Sequence, residues 1–114
     1  MRYILDAALT AADATQATQT SSAIDATSVV AASVHVVAAG ATITGTAKVQ
    51  VSNDPVGVPV NWVDLSGASV SVTGAGNFLI PKFDATYQWM RVVYTKTTSA
   101  AGALITANVK TIGY

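Results

Sequence analysis

Cysteine is absent from this chain of 114 residues, and so is glutamate: all 6 acidic residues are Asp. Without thiols there is no disulfide and no thiolate metal site. Without Glu, and with few Leu, the chain has set aside good helix formers. Charge is sparse as well. The 6 acids are balanced by 6 Lys and Arg, and charged residues make up 11% of the chain, against about 25% in ordinary globular proteins. A balance so even and so dilute offers no field to attract nucleic acid or an anionic membrane. No apolar run approaches the ~18 residues that a membrane-spanning helix needs. The N-terminal MRYILDAALTAADA has a short apolar run interrupted by Asp6 and Asp13. We therefore read it as an authentic start without a secretion signal.

What is present is Val, Thr and Ala in period-2 alternation, the pattern of half-buried strands. Arg2 to Leu9 places Tyr3, Leu5, Ala7 and Leu9 on one side. Ala11 to Ser22 is Ala/Thr/Gln-rich, and its threonines oppose a stable helix; it reads as a loop or an extended arm. Ser22 to Ala26 is a short strand around Ile24. Val29 to Ala38 gathers Val30, Ala32, Val34, Val36 and Ala38 on one face. Thr42 to Ser52 gathers Ile43, Gly45, Ala47, Val49 and Val51, with Gly45 marking a bend or bulge. Val60 to Leu65 follows a loop, Ser66-Gly67 is a turn, and Ser69 to Thr73 is another strand. Gly74 to Asn77 is a hairpin turn, and Phe78 to Ile80 is a short strand ended by Pro81. Tyr87 to Thr97 is apolar on both faces, as in a covered central strand. Ala103 to Ile112 closes the chain. The expected fold is all-β, an antiparallel β-sandwich or jelly roll of about eight strands. Residues 1–114 read as a single domain, with 1–20 an extended N-terminal arm.

Catalytic and metal chemistry find little support. His35 is the one histidine; alone, on the more polar face of its strand, it reads as a surface or subunit-contact residue. No serine lies in G-x-S-x-G. Asp54, Asp64 and Asp84 are carboxylates without a hydrolase spacing. Asp54 and Asp84 suit turns, and a calcium site from Asn53, Asp54 and loop carbonyls lacks an EF-hand pattern. Gly74-Ala75-Gly76 lacks the Lys-Ser/Thr of a phosphate loop. Lys48, Lys82, Lys96 and Lys110 are scattered, and Tyr87, Trp89 and Tyr94 have no basic cluster around them for stacking bases. They read as core. The expected site list is thus empty: no catalytic residue, no cofactor and no metal.

The segment VQVSNDPVGVPVNWVDLSG, Val49 to Gly67, joins two alternating runs through a loop holding Pro55 and Pro59. Together with YQWMRVVYT it resembles the second half of discoidin, or galactose-binding-like, jelly rolls. The match is Ser52-Asn53-Asp54, then Trp62, then Arg91, with Gln88 where that family has a first Arg. A wider resemblance runs from about Thr18 to Gly113: TQTSSAIDATS, the Val-rich strand, VQVSND, NWVDLSG, VTGAGNFLI, YQWMRVVYT and GALITANVKTIG. In that order they resemble small β-sandwich virion structural proteins of tailed bacteriophages and prophages. The resemblance implies a non-enzymatic virion subunit, a capsid decoration (cement) protein or a tail-associated one. It would assemble with itself and with major capsid or tail proteins through sandwich faces and the N-terminal segment. The low charge agrees, because a free monomer so uncharged would be poorly protected from association. The alternative is a carbohydrate-binding module on the discoidin-like frame, with the Asn53–Pro59 loop touching a glycan or a partner. Otherwise that loop is the hinge of a hairpin, and Trp62 packs inward beside Val60.

Overall fold

The computed structural model describes residues 2–55 and 57–113. Nine strands follow in order: β1 (Arg2–Asp13), β2 (Thr18–Thr20), β3 (Ile24–Asp25), β4 (Val29–Ala39), β5 (Ile43–Ser52), β6 (Val63–Thr73), β7 (Gly76–Asp84), β8 (Trp89–Ser99) and β9 (Leu104–Gly113). They form two antiparallel sheets, one in the order β1-β9-β4-β7, the other β2-β8-β5-β6 with β3 also on β8. Every connection except β2–β3 and β5–β6 passes from one sheet to the other, which is the winding of a jelly roll. No helix among the described residues is long and apolar enough to cross a membrane.

The expected eight strands become nine because one is broken. β2 and β3 pair in succession with β8, Thr20 opposite Val93 and Ile24 opposite Met90. Between them Ser21 N–H donates to the Val92 carbonyl at 2.9 Å, and Ser21 Oγ accepts from Val92 N–H at 2.9 Å. The buried Ser21 side chain thus completes a ladder that the backbone leaves open.

Alternation locates the core well where a strand has neighbours on both sides. Ile43, Ala47, Val49 and Val51 of β5 are buried, as are Ala32, Val34, Val36 and Ala38 of β4, and they meet Ile80, Met90, Val92, Tyr94, Ile105 and Val109 between the sheets. Parity fails at the edges. Tyr3 and Leu5, grouped with Leu9 on one side by alternation, are 65% and 69% exposed, while Leu9 is buried. Register shifts lie between Ala7 and Leu9 and between Leu9 and Ala12. A bulge adds a residue and exchanges the faces, so one alternation cannot run through the whole strand. Residues 2–20, expected as an extended arm, lie along β9 and β8 of their own chain.

Two expected breaks are absent. Ser66-Gly67 does not end a strand; β6 runs through it as a bulge, with Ser69 opposite Lys48 and Asp64 opposite Gln50. β7 likewise continues through Pro81, where the register shifts between Ala32 and Val34 of β4. Edge strands tolerate Pro at bulges, since no neighbour needs its missing N–H. Gly74-Ala75 is not a hairpin turn but a crossing between sheets, with Gly74 and Gly76 both at positive φ.

Three other crossings share the tripeptide Asp-Ala-Thr. At Asp13-Ala14-Thr15, Asp25-Ala26-Thr27 and Asp84-Ala85-Thr86 the central Ala is buried, and its N–H bonds across the molecule to Ala103, Gln88 and Val30 carbonyls. In the first two, the Asp Oδ1 accepts both the N–H and the hydroxyl of the Thr, at 2.9 and 2.6 Å in each. This is an Asx turn that reverses the chain while the Ala anchors it.

Candidate functional site

The loop between β5 and β6 covers residues 53–62 and joins neighbouring antiparallel strands, so it is a hairpin hinge. Its closure is made by one carboxylate. Asp54 accepts Val60 N–H at 2.7 Å, Asn61 N–H at 2.8 Å and Asn61 Nδ2 at 2.9 Å. Those donors, the Asn61 side chain first, lower its pKa to about 2. A carboxylate so occupied by N–H donors is poorly arranged for a cation. Asn53 Oδ1 accepts Gln88 N–H at 2.9 Å, and Trp89 Nε1 donates to the Asp54 carbonyl at 3.2 Å. The expected turn-starting role of Asn53 and Asp54 is therefore a clamp reaching across the loop. Pro59 is buried in it, while Val58 and Val60 project at 88% and 74% exposure.

Trp62, expected in the core, stands outside it. It is half-buried on the outer face of the second sheet, with the Arg91 guanidinium carbon 4.2 Å from its ring centroid. Arg91 Nε donates to Gln50 Oε1 at 2.8 Å, Gln50 Nε2 donates to Asp64 Oδ1 at 2.9 Å, and Lys48 Nζ lies 3.0 Å from Asp64 Oδ2. Gln50 and then Lys48 lower the Asp64 pKa. The five side chains form a polar track ending in an aromatic ring. Sequence reading missed it because it depends on the β5–β6 register, which the bulge at Gly67 sets.

Beside the hinge, Thr27, Ser28, Asn53, Thr86, Tyr87 and Gln88 line an open groove of about 530 Å³. Val29 and Val30 also line it, so its walls mix neutral hydrogen-bonding groups with apolar ones, and Gln88 Nε2 donates to Thr27 Oγ1 at 2.9 Å across it.

The remaining sequence candidates are dispersed. His35 is exposed on the outer face of the first sheet, with Nε2 2.9 Å from Asn77 Oδ1. Asp84 ends β7 opposite Ala31. Lys96 Nζ donates to the Thr15 carbonyl at 3.0 Å, and Lys110 Nζ lies 5.3 Å over the Tyr3 ring. Tyr94 is fully buried, whereas Tyr87 and Trp89 are partly so. Among the described residues no three His, Asp, Glu or Cys side chains gather into a metal-binding group.

The outer face of the first sheet has the opposite texture. Cross-strand register sets Tyr3 beside Ile112 and Ala31, Leu5 beside Lys110 and Ser33, and Ala7 beside Asn108, His35 and Leu79. Leu79 is 57% exposed. Apolar and neutral side chains thus outnumber the charged ones on this face, where Lys82 and Lys110 stand near Tyr3.

No family model matches the chain, and no curated protein matches it. Solved structures do. The PBSX exported protein XepA superposes with a TM-score of 0.67 at 15% identity, over 97% of this chain and 37% of that one. The chain therefore spans little more than a third of XepA. The SPBc2 prophage-derived protein YomS gives 0.55 at 11% identity, over 97% of this chain and 94% of its own. The Tobacco streak virus coat protein gives 0.50 at 12% identity, over 98% and 85%. At such identities the likeness shows the fold alone: this chain has a β-sandwich fold shared with prophage and viral proteins, in keeping with the resemblance seen in the sequence.

Proposed function

We propose that residues 1–114 form one non-enzymatic virion structural subunit of a tailed bacteriophage or prophage, a capsid decoration or tail-associated protein. It assembles with copies of itself and with other virion proteins. The observation that carries this reading is the outer face of the first sheet, where Tyr3, Leu5 and Leu79 stand exposed on a surface with few charges. Tyr3 and Leu5 adjoin on one face of β1, and exposed neighbouring apolar side chains favour association. The fold held in common with prophage-derived proteins and a viral coat protein supports it. So does the setting of His35, which meets an amide rather than a serine or carboxylate. Mass spectrometry and cryo-electron microscopy of purified particles from the phage-bearing host test the reading. The protein is expected in fixed stoichiometry on the capsid or tail, and its absence from intact particles would refute the proposal.

A second reading, carbohydrate binding, is favoured by one observation: Trp62 lies on an outer face beside the hydrogen-bonding side chains of Arg91 and Gln50. Sugars are bound by such combinations of ring and amide. Titration with an oligosaccharide panel, following Trp fluorescence, tests it; no spectral change with any member would exclude it.

A further inference from the structure

We propose that the outer face of the second sheet binds a linear, neutral polysaccharide, laid along β5 with one sugar ring stacked on Trp62. The inference rests on the carbohydrate reading and names the surface and the class of ligand. Cross-strand register sets the side chains of this face in rows, because residues directly opposite one another share a side. Thr98, Thr44 and Thr73 make one row, and Thr18, Thr95, Thr46 and Ser71 the next. Lys48 and Ser69 share a third with the buried Val93, and Arg91, Gln50 and Asp64 make the fourth, nearest Trp62. Strands lie about 4.8 Å apart, and same-side residues follow one another every ~6.8 Å. From Thr44 to Gln50 the line along β5 is therefore about 20 Å long, enough for several hexoses joined end to end.

Three features select the ligand. The first two rows hold only hydroxyl side chains, and among the described residues none of those hydroxyls bonds to another protein group. Each can donate and accept, as the hydroxyls of a sugar do. Charge is withdrawn from the other rows. Lys48 Nζ is paired with Asp64 at 3.0 Å, and Arg91 is held by Gln50 and lies against the Trp62 ring. A polyanion meets no unpaired cation in these rows, so the complementary polymer is uncharged. Trp62 supplies the apolar platform. Arg91 takes one face of the half-buried ring, and the C–H groups of a pyranose stack on the other.

A protein partner fits this face less well. Protein interfaces centre on buried apolar anchors, and the exposed large apolar side chains among the described residues, Leu5, Leu79 and Val58 for example, stand outside these rows. The two outer faces of the sandwich thus differ in chemistry, the first offering apolar side chains and the second hydroxyls and amides.

Affinity electrophoresis of the full chain through gels containing mannan, galactan, xylan or a mixed-linkage glucan, one at a time, tests the proposal. At least one polysaccharide should retard the protein, equally at low and high salt. Its hexamer should bind about tenfold or more tightly than its dimer, since successive rings meet successive rows. Trp62→Ala and Thr46→Val should each weaken binding about tenfold and keep a cooperative melt. Retardation abolished by salt, equal affinity for dimer and hexamer, or binding that both variants leave intact overturns the proposal. Gln88→Ala, in the groove beside the hinge, separates the two claims. Binding lost in Gln88→Ala and kept in Trp62→Ala and Thr46→Val refutes the sheet face and leaves the carbohydrate reading standing. No retardation by any of the four refutes both.

Discussion

Gly45 is the residue whose small size the fold uses most directly. A Cβ there would overlap the Tyr94 hydroxyl and the Thr95 carbonyl. Its lack of a side chain lets the fully buried Tyr94 ring lie against β5, next to a register shift between Thr44 and Gly45. Gly45→Ala should destabilise the protein by about 1–3 kcal/mol, the usual cost of overpacking; denaturant unfolding of the variant measures it. Trp62 gives the opposite lesson. Its parity was counted from Val60, but the ladder begins only at Val63, and alternation does not carry through an irregular loop. With its ring on the surface against Arg91, Trp62→Ala should cost under about 1 kcal/mol. Ile80→Ala, in the sealed core, should cost about 2–5 kcal/mol. Parallel melts of the two variants distinguish an outer Trp from a core one; equal losses would return Trp62 to the interior.

At the level of elements, legibility followed neighbours. β4, β5, β8 and β9 are paired on both sides; β5, β9 and β4 from Ala32 onward show the alternation that the sequence displays, while β8 is apolar on both faces, with Val92, Val93 and Tyr94 all buried. β1, β6 and β7 are edges. They carry bulges, and there Pro81 and Gly67 looked like chain ends. The Asp-Ala-Thr corners repeat one tripeptide three times, but the sequence reading did not single it out, because its meaning needs the crossing geometry. The carboxylates of these corners and of the hinge share an electrostatic consequence. Thr15 lowers the pKa of Asp13, and Thr27 that of Asp25, through side-chain and backbone hydrogen bonds. Asp64 is lowered by Gln50 and Lys48, and Asp54 falls to about 2. A carboxylate with a folded pKa below its unfolded value of 3.8 stabilises the fold above that value. The contribution is lost as pH falls through the folded pKa. The melting temperature should therefore stay level from neutral pH down to about 4 and drop steeply towards pH 2. In Asp54→Asn the neutral-pH value should be lower and the acid drop shallower. Calorimetry across this range checks both, and a variant with an undiminished acid drop would show that Asp54 does not contribute to it.

For the whole molecule, the fold class was legible because Val, Thr and Ala alternate nearly throughout, while strand order was not, because it depends on which crossings join which sheets. The N-terminal residues show the difference. Texture alone made residues 1–20 a separable arm, since Ala11 to Thr20 holds little apolar content. The jelly-roll winding places them otherwise. β1 closes one side of the first sheet on β9, β2 closes one side of the second on β8, and Asp13-Ala14-Thr15 carries the chain between them. Leu9 and Ala14 reach the core, and Lys96 is tied to the Thr15 carbonyl. Removing residues 1–20 would open the core at that corner and bare two central strands, β9 and β8, as new edges, which favours aggregation. The truncated chain is expected to lose its cooperative thermal transition and to associate without limit. Circular dichroism melts and amide proton dispersion of the truncated and full-length proteins, side by side, decide the matter. A truncated chain that melts cooperatively with dispersed resonances would show that β1 and β2 are an appendage and that the sandwich is complete without them.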